Sequence, residues 1–279
     1  MQITIRHATQ KDLGHIIEVE SKATPNLNYV SNVFDMFLND KTGDFSVAEV
    51  DGELVACGKF TLLPDKSAWL ETLRVIPERQ GLGIGKRFYK HFFDIADSKG
   101  VKTMRMYTGE KNKVSRGLAE RFGFKLAATY RGARLSHKSF RETGQTSFQK
   151  VTEYTRAASL LLPYQDQWKG FLVMNRTFYS INNELSDDLV NNGFMYEDFN
   201  SQSMITLGAR FMPEKELHIG VLGGDLEACI DFAVRKGLEK EVQGLSCLFP
   251  PTEQELQEKF TEFGFQILPS DFLVMEVHL

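Results

Sequence analysis

A chain of 279 residues with 42% hydrophobic and 11% aromatic content can bury more than one core, so two domains are the first expectation. It has no run of ~18 apolar residues and opens on the polar stretch MQITIRHATQKDL, which argues against a membrane span and a signal peptide and for a cytoplasmic protein. The net charge of −4 is divided unevenly: residues 1–144 hold 23 Lys and Arg against 17 Asp and Glu, net +6, which leaves 10 against 20, net −10, for 145–279. The basic half suits an anionic ligand and the acidic half a cationic one, unless the surface charge is simply patchy. Cys57, Cys229 and Cys247 lie far apart in apolar segments, so buried thiols are expected, with no disulfide frame and no metal site.

In chain order, residues 3–7 alternate as a strand, and Asp12 opens a helix that puts Leu13, Ile16 and Ile17 on one face. A second helix covers about 28–38. Residues 45–50 and 54–62 form a hairpin through Asp51-Gly52, and Pro64-Asp65 turns into a strand over 68–75. Next comes a loop with Gly81, Gly83 and Gly85 at alternate positions, then a helix burying Phe88, Phe92, Ile95 and Ala96. Gly100 stops that helix. A strand at 101–107 runs parallel to 68–75 because a helix joins them. Residues 112–122 make another helix closing on Gly123, and strands follow over 125–135.

The strand, glycine loop and helix at 69–99 have the form of a phosphate cradle, since helix-opening N–H groups lack partners and glycine admits a close backbone approach. A P-loop is excluded: Gln80 stands where its first glycine belongs and Arg87 where its hydroxyl belongs. A dinucleotide loop is excluded because Lys86 stands where the third glycine belongs. An ordinary glycine-rich turn is the plain alternative. What fits is [R/Q]xxGx[G/A], as Gln80, Gly83 and Gly85, and with it Asn112 stands eleven residues before Gly123-Phe124. In these two motifs and in element order, residues 1–140 resemble the GNAT acetyltransferase superfamily.

The resemblance implies a mixed α/β fold, a central sheet flanked by helices, with acetyl-CoA as acyl donor. It implies main-chain contacts to the pantetheine arm from Leu73, Arg74 and Val75, and phosphate contacts from Gln80, Gly81, Leu82, Gly83, Ile84, Gly85 and Lys86. Arg79, Arg87, Lys111 and Lys113 add positive field. Asn112 and Ser115 fall near the cofactor arm, although Asn112 also suits a helix cap. Glu71 sits where family members carry a base, and strand alternation puts it on one face with Leu73 and Val75. The family's proton-donating tyrosine falls on Ala119, leaving Tyr107, Ser115, Tyr130 or water for that role.

The second half repeats the plan. Arg235-Lys236-Gly237 echoes Ser98-Lys99-Gly100 at an offset of 137, and Glu262-Phe263-Gly264-Phe265 echoes Arg121-Phe122-Gly123-Phe124 at 141. Strands near 217–222, 242–248 and 272–279 and helices at 225–236 and 253–263 surround these markers. At the offset of 137, Gln80 becomes Leu217 and Gly85 becomes Leu222, so the cradle is lost, and Asp225 reads as a helix N-cap. The expected organisation is a GNAT domain at 1–144 with one acetyl-CoA site, then a degenerate GNAT-like domain at 145–279. The expected activity is N-acetylation of a primary amine on a small molecule or peptide, the alternative being an acetyl-CoA-binding protein without turnover. Glu20, Asn26, Asn28, Tyr29 and Asp35 supply polarity on the acceptor side. No nucleic-acid motif or membrane segment is present, and a homodimer is compatible with the resemblance.

Overall fold

The computed structural model describes residues 2–25, 27–141, 144 and 147–279. Asn26, an expected acceptor-side residue, lies outside the described residues. The chain divides into two compact units: residues up to Met106 with Val114–Lys125 and Met275–Leu279, and Tyr107–Lys113 with Leu126–Val274. Each unit thus takes a strand from the other half of the sequence.

In the first unit, β1 (Ile3–His7) leads to α1 (Leu13–Ala23) and α2 (Val30–Leu38), then to β2 (Asp44–Val50), β3 (Glu53–Leu62) and β4 (Ala68–Val75). Asp51 and Gly52 both take positive φ, 50° and 88°, which matches the twist of a two-residue hairpin. After the glycine loop come α3 (Ile84–Ser98), β5 (Thr103–Gly109), α4 (Lys113–Arg121) and β6 (Lys125–Ser136), one strand of twelve residues where several were expected. Neighbours β1 to β4 are antiparallel, and β5 is parallel to β4. Phe88 and Phe92 of α3 cover β3 at Gly58, where a Cβ would stand 3.0 Å from both rings. Phe34 and Phe37 of α2 pack edge-on to Phe45 on the other face.

The second unit continues with β7 (Gln149–Lys150), α5 (Tyr154–Leu161), β8 (Phe171–Met174), β9 (Thr177–Ser180), α6 (Asn183–Asn192), β10 (Met195–Asp198) and β11 (Ser203–Gly208). Then come β12 (Leu217–Gly223), α7 (Leu226–Glu239), β13 (Gly244–Phe249), α8 (Gln254–Glu262), β14 (Gln266–Ile267) and β15 (Phe272–His278). Its sheet runs β6-β13-β12-β11-β10-β7, with β12 and β13 parallel. All three cysteines are buried and free.

Downstream of the loop the two halves repeat at one offset, which corrects the register expected at 137. The helix-end bond Phe124 N–H to Ala119 C=O (3.2 Å) recurs as Phe265 to Phe260 (2.8 Å), and Val101 to Ala96 (2.9 Å) recurs as Val242 to Gly237 (3.1 Å), all displaced by 141. The counterpart of Gly100 (φ 65°) is therefore Glu241 (φ 52°), and Gly237 lies inside α7. Upstream of the loop the offset differs. The parallel rungs Ala68↔Met104 and Trp69↔Arg105 recur as Leu217↔Leu245 and His218↔Ser246, so β4 maps to β12 at 149 while β5 maps to β13 at 141. The second connection is thus eight residues shorter, the length of Val75 to Leu82.

Arg105 holds the lower end of β4 and β5. Its side chain is 3% exposed and donates to Asp65 at 2.9 Å and Ser67 at 2.9 Å, and it also bonds Glu276 of β15. Removing one member of a buried pair leaves the others uncompensated. Arg105→Ala is expected to lower the unfolding free energy by about 3–5 kcal/mol in denaturant titration.

In the second unit His218 is buried, with Nδ1 2.7 Å from Ser246 Oγ and Nε2 without a hydrogen-bond partner. Burial, then Arg176 and Arg134, depress its pKa to about 3. A depressed histidine binds its proton more readily in the unfolded chain, so it removes stability as pH falls below its ordinary range. Between pH 6.5 and 4.5 stability should fall by roughly 1.4 kcal/mol per pH unit from this group, and His218→Gln should flatten that slope.

Candidate active site

Across the β3–β4 ladder Cys57 faces Arg74 and Lys59 faces Glu71, two steps on one strand against three on the other. The additional residue is Thr72, at φ 59°, a conformation that β-branched residues rarely adopt and that costs on the order of 1–3 kcal/mol. The bulge is pinned from two sides: the Thr72 hydroxyl lies 2.7 Å from the Tyr29 hydroxyl, and its carbonyl accepts from Cys57 Sγ at 3.6 Å.

The bulge overturns the expected alternation. Cross-strand partners share a face, so Glu71 points with Lys59, whose ammonium bonds Asp40 at 2.5 Å and sits over the Phe37 ring of α2. Glu71 and Arg74 therefore share the face covered by α1 and α2, while Leu73 does not join them. The Glu71 carboxylate is buried and accepts from Thr61 Oγ1 at 2.6 Å. Close by, buried Glu20 accepts from the N–H groups of Tyr29 (3.1 Å) and Val30 (3.0 Å), capping α2 from α1. Burial raises its pKa, against the pull of those bonds and of Arg74.

On its other side β4 pairs with β5 only at Ala68 and Trp69, so among the described residues the strand from Leu70 to Val75 has no rung to β5. Pro77–Arg79 then form one 3₁₀ turn, and Gly83 (φ 85°) is the N-cap of α3. No side chain caps this helix, and its first internal bond is from Arg87 N–H to Gly83 C=O. The N–H groups of Ile84, Gly85 and Lys86 consequently meet no capping group. A Cβ at Gly81 (φ 80°) or Gly83 would meet nothing within 4 Å: the backbone needs glycine there, and the space before it is open. Gly85 serves another purpose, since its Cβ would stand 2.9 Å from Leu118 Cδ2, where α3 and α4 approach. This cradle fits a diphosphate in charge and space.

The remaining predicted residues are scattered. Gln80 donates to the Val75 carbonyl at 3.1 Å, and Arg79 pairs with Glu53 at 2.7 Å. Leu82, Lys86 and Arg87 are exposed. Ser115 is half-buried in the first turn of α4, while Asn112 is exposed and grouped with the second unit. Tyr130 is withdrawn as a proton donor, because its buried hydroxyl donates to the Trp168 and Phe171 carbonyls and burial raises its pKa. In the second unit, Asp225 caps α7 through Ala228 N–H at 3.0 Å, as expected. At the offset of 141 it replaces Ile84, and Glu227 replaces Lys86. A cavity of about 310 Å³ lined by Arg141, Glu227, Asp231 and Glu262, among others, contains none of the predicted site residues.

A model of the acetyltransferase (GNAT) family matches residues 12–124, from the start of α1 through the bulge, the loop and α4. Over that stretch the sequence matches GNAT acetyltransferase domains. No curated protein matches the sequence. Among solved structures the chain is similar to a tandem GNAT protein from the clavulanic acid biosynthesis pathway, at 11% identity, covering 99% of this chain and 98% of that one, TM-score 0.66. It is also similar to a GCN5-related N-acetyltransferase from Sphaerobacter thermophilus, at 11% identity, 99% and 95% coverage, TM-score 0.66. A third is a glucosamine N-acetyltransferase region of a fungal multi-domain GH3 β-N-acetylglucosaminidase, at 10% identity, 99% and 38% coverage, TM-score 0.70. At such identities the likeness is one of fold: the whole chain has the mixed α/β architecture of tandem GNAT proteins. Among the described residues no helix is long and apolar enough to cross a membrane.

Gly83→Glu puts a bulky carboxylate into the cradle on a backbone that disfavours it. Calorimetric titration with acetyl-CoA should show at least a 100-fold weaker affinity, with circular dichroism confirming the fold.

Proposed function

We propose that the protein is an acetyl-CoA-dependent N-acetyltransferase acting on a primary amine of a small molecule or peptide, with one acetyl-CoA site per chain. The observation that carries this reading is the uncapped, glycine-opened turn of α3 at the end of the strand bearing Glu71. The N–H groups of 84–86, with Gln80 to Gly83 and Lys86, would hold the diphosphate, and Leu73, Arg74 and Val75 offer main-chain groups to the pantetheine arm. Ser115 lies one turn before Ala119 on the same side of α4, near the same arm. Residues 1–144 and 145–279 are the two copies of the repeat, the second structural or acceptor-facing. The protein works in the cytoplasm.

Acetyl-CoA supplies the acetyl group as a thioester, and the products are an N-acetyl amine and the free thiol. The incoming ammonium must first lose a proton, which Glu71 takes directly or through water. A second proton from the same nitrogen must reach the departing sulfur. Ala119 offers no group for that step and is fully buried, so Ser115 or a water it holds supplies the route. The acidic second copy, with Asp225 and Glu227 at its helix entry, would repel a diphosphate.

Thiol release from acetyl-CoA across a panel of primary amines tests the reading. Glu71→Gln should lower kcat/KM by ~10²–10⁴-fold at neutral pH. The deficit should shrink at high pH, where the amine is already neutral. Saturable acetyl-CoA binding with no thiol released by any amine would favour a binding protein without turnover.

A further inference from the structure

The Arg74 side chain has no part in the mechanism above, which uses only its main chain. Among the described residues this half-buried guanidinium has no ion-pair partner. One bond, from Nη1 to the Leu73 carbonyl at 3.3 Å, occupies one of its five N–H donors, and its Nε is shielded from solvent with no acceptor. Glu20, a carboxylate that feels the charge of Arg74, is already taken up by the two backbone N–H groups at the start of α2. A shielded cationic donor without an acceptor is costly. Its position is also defined. The bulge at Thr72 turns Glu71 and Arg74 to one face of β4, opposite Lys59 and Cys57, about two strand steps or ~6.6 Å apart.

We propose that the amine acceptor carries a carboxylate next to its amino group, and that Arg74 binds this carboxylate while Glu71 receives the ammonium proton. A proton acceptor and a planar cationic donor side by side match the two charges that an α-amino acid bears on one carbon, and a guanidinium meets a carboxylate through paired hydrogen bonds. The inference rests on the transferase reading of the preceding subsection and adds the chemical class of its acceptor.

The test uses the full-length protein with amine pairs that differ only in the carboxylate: phenylalanine and phenethylamine, tyrosine and tyramine, histidine and histamine, lysine and cadaverine. The wild type is expected to favour the carboxylate-bearing member of at least one pair by ~10–100-fold in kcat/KM, the range of a charge-assisted hydrogen bond. Arg74→Gln should collapse that ratio, and Arg74→Lys, which keeps the charge without the fork, should retain part of it. Preference for the carboxylate-free members, no preference in any pair, or a preference that survives Arg74→Gln would overturn the proposal. So would a loss in Arg74→Gln confined to acetyl-CoA affinity, which would assign the side chain to the donor. If acetyl-CoA binds but no amine releases thiol, the transferase reading fails. Saturation-transfer NMR of the same pairs with wild type and Arg74→Gln, in the presence of CoA, then decides Arg74 by the same criteria. Arg74→Lys carries the test if circular dichroism shows Arg74→Gln unfolded.

Discussion

One inserted residue in β4 governs the candidate site. With Thr72 in the left-handed region, the strand gains a step on β3, and every side chain beyond it changes face. Without the bulge, Arg74 would point toward α3, away from the face that carries Glu71. Such a conformation persists only where its surroundings over-determine it. Here the Tyr29 hydroxyl, the Cys57 thiol and the antiparallel ladder on both sides of the bulge do so. The strained residue thus ties the start of α2 to the strand that bears Glu71.

The second copy shows what the fold keeps when the glycine loop is removed. Its β11–β12 ladder has a comparable shift between Ile205 and Leu207, and both helix ends keep their caps. The eight-residue segment between strand and helix is absent, and the helix entry has acquired Asp225 and Glu227 in place of Ile84 and Lys86. One left-handed glycine survives, Gly224 at φ 86° for Gly83 at 85°. A Cβ there would lie 2.6 Å from the Gln202 carbonyl, where Gly83 faces open space. The same backbone conformation faces open space in one copy and tight packing in the other.

The strand, loop and helix of the cradle were legible in the sequence because their glycines stand where only glycine is easily accommodated. The helix ends at Gly100, Gly123 and Gly264 were legible for the same reason. The bulge was not: Leu70-Glu71-Thr72-Leu73 alternates like any flat strand, and nothing local marks Thr72 for positive φ. The fold between 149 and 208 also escaped, as its strands are short and the β8–β9 turn uses Asn175 and Arg176, at φ 48° and 58°, in place of an Asn-Gly pair. The repeat register was misread at 137 because Arg235-Lys236-Gly237 copies the letters of a helix end from inside a helix. The true counterpart, Glu241, is a left-handed residue that is not glycine.

The exchange of strands between the halves sets an order of events during synthesis. β5 of the first unit is completed by Met275–Leu279, through Glu276 on Arg105 and the Leu279 N–H on the Lys102 carbonyl. At the ribosome's ordinary pace of ~5–20 residues per second, roughly 8–30 s separate the emergence of residue 125 from that of residue 275. During that interval the amino-terminal unit carries an open sheet edge and a buried arginine lacking one carboxylate. The usual order, in which the first domain is finished before the second begins, is unavailable to this chain. Its glycine loop is translated early, but the unit that presents it closes only once Met275–Leu279 have been made.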